Sequence, residues 1–146
     1  MHTANSIEKI HLLEQQLVFL LNLDDWRLEW TGEDYSHYDA MGLDLNGDSC
    51  IIEFKFRREA YIDKMLEVYK YQALLDVDIA KRYYAVIDTK GCWVFDLDSI
   101  EYTKQTIQSP KQSIFRDNNK VEKEVLMLEK SSAVKRYLYN FNKYQF

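Results

Sequence analysis

The sequence predicts a mixed α/β fold organised around one β-hairpin, and three observations carry that prediction. An apolar stripe with helical spacing lies near the start of the chain, an alternating run follows an Asn-Gly turn, and strand-like runs resume at Arg82 after a second helical stretch. Strand, helix, strand in that order needs a crossover, which implies a mixed sheet with helices packed on it. The 146 residues are 47% hydrophobic with only four Gly and one Pro, so one domain over 1–146 with its own core is expected.

From about Ser6 to Asn22 the spacing predicts an amphipathic helix, capped by Asn5 or Ser6, with Ile10, Leu13, Leu17, Leu20 and Leu21 as its stripe. Glu14 falls at the margin of that stripe, either as a flank residue reaching water or as a carboxylate held toward the sheet. Trp26 to Trp30 alternates like a first strand, and Thr31 to Ser36 is a polar connector. The hairpin from Ser36 to Arg58 turns at Asn46-Gly47, and its second arm places Ile52, Phe54 and Phe56 on one side and Glu53, Lys55 and Arg57 on the other.

The turn length decides which residues meet. A two-residue loop would set Asp39 opposite Phe54. A bulged three-residue loop, Asn46 to Asp48, would pair Leu45 with Ser49 and set Asp39 opposite Lys55 and Met41 opposite Glu53. The odd-length register, or an equivalent bulge, is the expectation, with Tyr38 and Ala40 joining the apolar side.

A second helix is predicted from Glu59 to Asp76, with Tyr61, Met65, Val68, Gln72 and Leu75 in one row. Gln72 on that row needs partners, from backbone or from a polar site beside the sheet. Lys64 and Lys70 read as surface lysines. Arg82–Ile87 and Cys92–Phe95 are predicted strands, residues 98–120 a polar irregular stretch, Glu124–Leu128 a strand, and Ser131–Phe141 a final helix.

Charge and composition exclude several classes. The net charge of −5 divides into −10 over residues 1–103 and +5 over residues 104–146, a polarity that can steer a polyanion to one side or be an ordinary solvated surface. Cys50 and Cys92 sit in apolar runs and are expected as free thiols in a reducing compartment. No apolar run reaches membrane-spanning length and no signal-peptide pattern opens the chain, so no membrane partner and a cytoplasmic location are expected. His2, His11 and His37 are scattered without zinc-ligand spacing, neither cysteine has a histidine placed to activate it, and no Gly-rich phosphate loop is present. His37 reads as an accessory base or as a surface residue.

What remains is the charged side of the hairpin. Asp39 and Glu53 on adjacent strands, with Lys55 two residues on, can form a cluster of two carboxylates and one ammonium. Such oxygens suit Mg2+ or Mn2+, which lower the pKa of a bound water and shield a phosphodiester under attack. Lys55 can orient the water or stabilise the transition state, and Arg57 and Arg58 can meet phosphate.

The order helix, strand, Asp39, hairpin, apolar-apolar-Glu53-x-Lys55, helix resembles the PD-(D/E)xK nuclease superfamily, which includes restriction endonucleases, phage and repair exonucleases and archaeal-type Holliday-junction resolvases. The resemblance covers about residues 6–96 and leaves about 104–146 as a basic C-terminal extension. It implies a restriction-endonuclease-like core in αβββαβ order, with Asp39, Glu53 and Lys55 holding the metal and activating water. It also implies a metal-binding role for Glu14 on the first helix and a place near the site for Gln72, without a complete Gln-x-x-x-Tyr motif. Tyr38 stands where the motif has Pro. The implied activity is metal-dependent hydrolysis of DNA phosphodiester bonds, with RNA left open as a substrate. At this size a homodimer is expected, since cutting two strands or a junction needs two sites, and a setting in phage, recombination or repair follows by family analogy. Arg57, Arg58, Lys111 and Lys120 are the candidate nucleic-acid contacts. Two other readings stand beside the enzyme: a non-catalytic DNA-binding or assembly module that keeps the fold, and an α/β protein whose Glu53, Lys55 and Arg57 only line a solvated strand.

Overall fold

The structure is a computed structural model that describes residues 4–32, 37–110 and 120–139. Helix α1 (Ala4–Leu23) leads into strands β1 (Arg27–Trp30), β2 (Ala40–Leu43) and β3 (Ser49–Phe56). Strand β4 (Lys64–Glu67) and helix α2 (Val68–Leu75) follow, then β5 (Lys81–Asp88), β6 (Gly91–Asp96), β7 (Tyr102–Pro110), β8 (Lys120–Leu128) and β9 (Lys135–Tyr137). A six-stranded sheet runs in the order β1-β2-β3-β5-β6-β9, and a three-stranded sheet in the order β4-β8-β7. Among the described residues only β3 and β5 pair in parallel; the other neighbours are antiparallel, so the main sheet is mixed as expected. No described helix is long and apolar enough to cross a membrane.

Each face of the main sheet has its own apolar cluster. On one face α1 lays Leu13, Leu17, Val18 and Leu21 over Ala40, Ile52, Phe54, Ala85 and Val94. Fully burying a leucine such as Leu17 contributes about 1.5–3 kcal/mol, so this stripe is what docks the helix. On the other face Ile51, Tyr84, Val86, Trp93 and Phe95 meet Leu74 of α2 and Leu66, Leu126 and Leu128 of the smaller sheet.

The hairpin has the expected odd parity but a different register. Leu43 pairs with Ser49 and Ala40 with Ile52, which leaves a five-residue turn from Asp44 to Asp48. The cause is Asp44. Its Oδ1 accepts the backbone N–H groups of Asn46 and Asp48, each at 2.9 Å, and its Oδ2 accepts the Tyr83 hydroxyl at 2.7 Å. The turn is thus closed by a carboxylate two residues ahead of the Asn-Gly pair, with Gly47 supplying a φ of +82°. The register slides by two, so Met41 faces Ile51 rather than Glu53. Gly42 completes the hairpin's packing: a Cβ there would lie 1.9 Å from the Arg27 carbonyl oxygen on β1.

Four further expectations are corrected. The helix predicted from Glu59 spans only Val68–Leu75, because Lys64–Glu67 pair with Val125–Leu128 as a strand. The stretch taken as irregular contains β7, which pairs along its whole length with β8. In place of a final helix from Ser131, a single 3-10 turn (Lys130–Ser132) leads into β9 at the edge of the main sheet; residues 140–146 lie outside the described residues. Tyr38, which precedes β2, packs with the second cluster rather than with Ile52 and Phe54. The C-terminal third therefore adds strands to both sheets instead of lying outside the core. Trp26 Nε1–H donates to the Tyr137 hydroxyl at 2.9 Å and ties β9 back to the end of α1.

Candidate active site

Asp39 sits one residue before β2, where the chain still follows the sheet: its N–H donates to Ile52 O at 3.0 Å, and its carbonyl accepts from Thr31 N–H at 2.7 Å. Its carboxylate Oδ2 accepts the Phe54 N–H at 2.8 Å. That bond spans the hairpin and fixes the carboxylate beside the next residue back on β3, Glu53. By strand alternation Glu53 points away from Ile52 and Phe54, toward the face that carries α2. Glu14 comes from the opposite direction, off α1. It is 7% exposed, and its Oε1 accepts the Trp30 Nε1–H at 3.1 Å. Asp39 interacts with both glutamates and so bridges the two faces at the end of β2.

The electrostatics follow from that crowding. Burial first, then the charge of Asp39, push Glu53 up to about 8, against the opposing effect of Lys70. Burial and Asp39 likewise push Glu14 up to about 7, with the Trp30 hydrogen bond opposing. Asp39 is also raised by burial, but the Phe54 N–H and its interactions with Glu14, Lys70 and Glu53 hold it back. All three carboxyls are thus raised by burial, and the two glutamates, at about 7 and about 8, retain protons near neutrality.

Lys55 projects on the same side as Glu53. Burial, then Arg57 and Lys70, lower its pKa, while Glu67 and Glu53 oppose the change. Lys70, read from sequence as a surface residue, is the side chain that reaches Glu53, Nζ to Oε1 at 3.6 Å. Gln72 is exposed on a shallow depression with Glu67, Tyr69 and Lys123, so the structure does not bring it to the carboxylates. The helix begins at Val68, and its short length turns Lys70 rather than Gln72 toward β3. Arg57 is half-buried and Arg58 exposed. Lys111 lies outside the described residues, and of Lys120 only the backbone in β8 is described.

Lys64 was the second lysine read as a surface group, and it is 2% exposed. Its Nζ meets Asp88 Oδ2 at 2.6 Å and the Tyr61 carbonyl at 2.5 Å, and lies 4.0 Å from the centre of the Trp93 ring. No local pattern announces this pair, because Asp88 is 24 residues away and becomes a neighbour only through the sheet. Trp30 was also missed as a site residue; its alternation in β1 gave its side but no hint of the helix carboxylate it would meet.

Among the described residues, no three His, Cys, Asp or Glu side chains converge on one metal-sized point. Glu14, Asp39 and Glu53 lie instead as a row with Asp39 in the middle. The donor set nevertheless fits a hard divalent cation in kind: carboxylate oxygens, half-buried or buried, with one ammonium in contact and protons as the only other relief.

The mixed central sheet with α1 on one face and α2 on the other has the restriction-endonuclease-like fold. Among solved structures it is similar to the Holliday junction resolvase Hjc of the archaeal hyperthermophile Archaeoglobus fulgidus, with a TM-score of 0.53 over 90% of this chain and 94% of that one, at 14% identity. No protein-family model and no curated protein matches the sequence.

Proposed function

We propose that this protein is a divalent-metal-dependent nuclease that hydrolyses DNA phosphodiester bonds. The observation that carries the reading is the row Glu14, Asp39, Glu53, whose carboxylates crowd one another with too little positive charge, beside the half-buried Lys55. Asp39, Glu53 and Glu14 would hold Mg2+ or Mn2+, which when bound lowers the pKa of water and offsets charge on the phosphodiester. The Phe54 N–H aims Asp39, and the Trp30 N–H aims Glu14. Lys55 Nζ, its ammonium disfavoured by burial and by Arg57, is suited to take the proton from the attacking water as the P–O bond breaks. Lys70 holds Glu53 in place. The fold shared with a Holliday junction resolvase supports DNA as the partner and branched DNA as one substrate to try.

A second reading, a DNA-binding or assembly module that keeps the fold, is favoured by the row-like rather than convergent placement of the carboxylates. One assay separates the two. The purified chain is incubated with linear, single-stranded, nicked and branched DNA in Mg2+, Mn2+ or EDTA. The enzyme reading expects cleavage that needs metal and falls at least about a hundredfold in both Glu53→Ala and Lys55→Ala. DNA binding without cleavage in either metal favours the module.

A further inference from the structure

A cavity of about 370 Å³ opens beyond the ends of β3 and β5, within the range of small-ligand sites, about 300–1,000 Å³. Arg57, Tyr61, Ile62, Met65 and Met127 contribute to its largely apolar lining, and the Lys64–Asp88 pair forms part of it. Tyr61 and Ile62 are 52% and 80% exposed, so large apolar groups stand open to solvent at this cavity. Two facts point to its occupant. Among the described residues Arg57 forms no ion pair; its guanidinium lies against the Tyr84 hydroxyl, a neutral partner. Arg57 also stands on the cavity lining itself, so its charge is presented to whatever occupies the space.

Arg57 continues the extended path of β3, its N–H bonded to Ile87 O at 2.7 Å. It therefore lies on the same side as Glu53 and Lys55. Arg57 lies four residue steps beyond Glu53, or roughly 13 Å at about 3.3 Å per residue. That span corresponds to about two to four nucleotides, given an axial rise of about 3.4 Å per stacked nucleotide and more when the strand is stretched.

We propose that this cavity is a nucleobase subsite, which takes one unstacked base of the substrate strand about two to four nucleotides from the bond that is cut. Arg57 meets the phosphate of that nucleotide, the Tyr61 ring and the Ile62 and Met127 side chains cover the base, and Asp63 on the lining offers an acceptor to an exocyclic amino group. The inference rests on the nuclease reading and deepens it: the protein would select strands whose bases can leave the stack near the cut.

The test reads cleavage bond by bond on single-stranded DNA carrying one abasic position, which removes a base and keeps its phosphate. Wild type is expected to cut about tenfold less at the bond a fixed two to four nucleotides from the abasic position. Tyr61→Ala abolishes that dip, and Tyr61→Phe keeps it. Tyr61 is half-exposed, and a thermal melt within a degree or two of wild type shows that Tyr61→Ala has folded. A uniform cutting pattern, or a dip unchanged in Tyr61→Ala, overturns the subsite while leaving the nuclease standing. No cleavage of any strand overturns both.

Discussion

Two groups of charge are buried against the same sheet, and they are built in opposite ways. Lys64 and Asp88 are matched: ammonium meets carboxylate at 2.6 Å, a carbonyl and an indole face take the rest of the ammonium, and Asp88 Oδ1 accepts the Lys90 N–H at 2.7 Å. Glu14, Asp39 and Glu53 are mismatched, three carboxyls with Lys70 3.6 Å from one of them. The pair is finished by its own neighbours, whereas the row is finished only by protons or by a cation from outside. The proposed site rests on buried charge that lacks its counter-charge, not on buried charge alone.

The largest effect is expected where the matched pair is broken. Asp88→Ala leaves a buried ammonium without its carboxylate, which costs about 3–5 kcal/mol. A thermal melt should show a fall on the order of 10 °C or more. Neutralising the row does the reverse: Glu53→Gln in metal-free buffer should melt no lower than wild type. Equal losses in the two variants would erase the distinction.

The pH dependence of stability sharpens it. Glu53 and Glu14 hold protons up to about 8 and 7 in the folded chain, against 4.5 for an ordinary glutamate. The folded state therefore binds more protons than the unfolded one between these limits. The resulting stabilisation is full below about 4.5 and is lost as pH rises through 7 to 8. In EDTA the melting temperature should drop by several degrees between pH 5 and 8.5. Asp39→Asn, which removes a main cause of both shifts, should flatten that drop.

The smallest effect is the addition of metal. At pH 8 millimolar Mn2+ should raise the melting temperature of wild type by a few degrees, since only the folded row can gather ligands. Asp39→Ala and Glu53→Ala should lose the rise, and Lys55→Ala should keep most of it. A rise that persists in all three variants would assign the ion to some other part of the chain.

Much of this was legible in the residues themselves. The α1 stripe, the alternation of β3 and the Asn-Gly turn are local signals, and they gave the mixed sheet and the shared neighbourhood of Asp39 and Glu53. Glu14 was visible as a carboxylate at the margin of an apolar stripe, although the Trp30 contact was not. The losses are non-local. Lys64-Met-Leu-Glu67 reads as helix until Val125–Leu128 arrives to pair with it, and Lys135–Tyr137 reads as helix until β6 offers an edge. The shortened α2 then exchanged Gln72 for Lys70 at the site. Propensity describes a segment alone, and these segments take their form from partners far along the chain.

Asp44 lies at the turn, outside the carboxylate row, yet it ties together the strands that carry that row. Its bonds to Asn46 and Asp48 use only neighbours, so the hairpin can find its pairing while β5 is still unfolded; hairpins close in about 1–10 μs. The Tyr83 hydroxyl on β5, the strand parallel to β3, donates to the other oxygen of the same carboxylate. One carboxylate thereby joins the turn that sets the β2–β3 register to the strand that pairs in parallel with β3, so losing Asp44 would loosen both pairings that frame the carboxylate row.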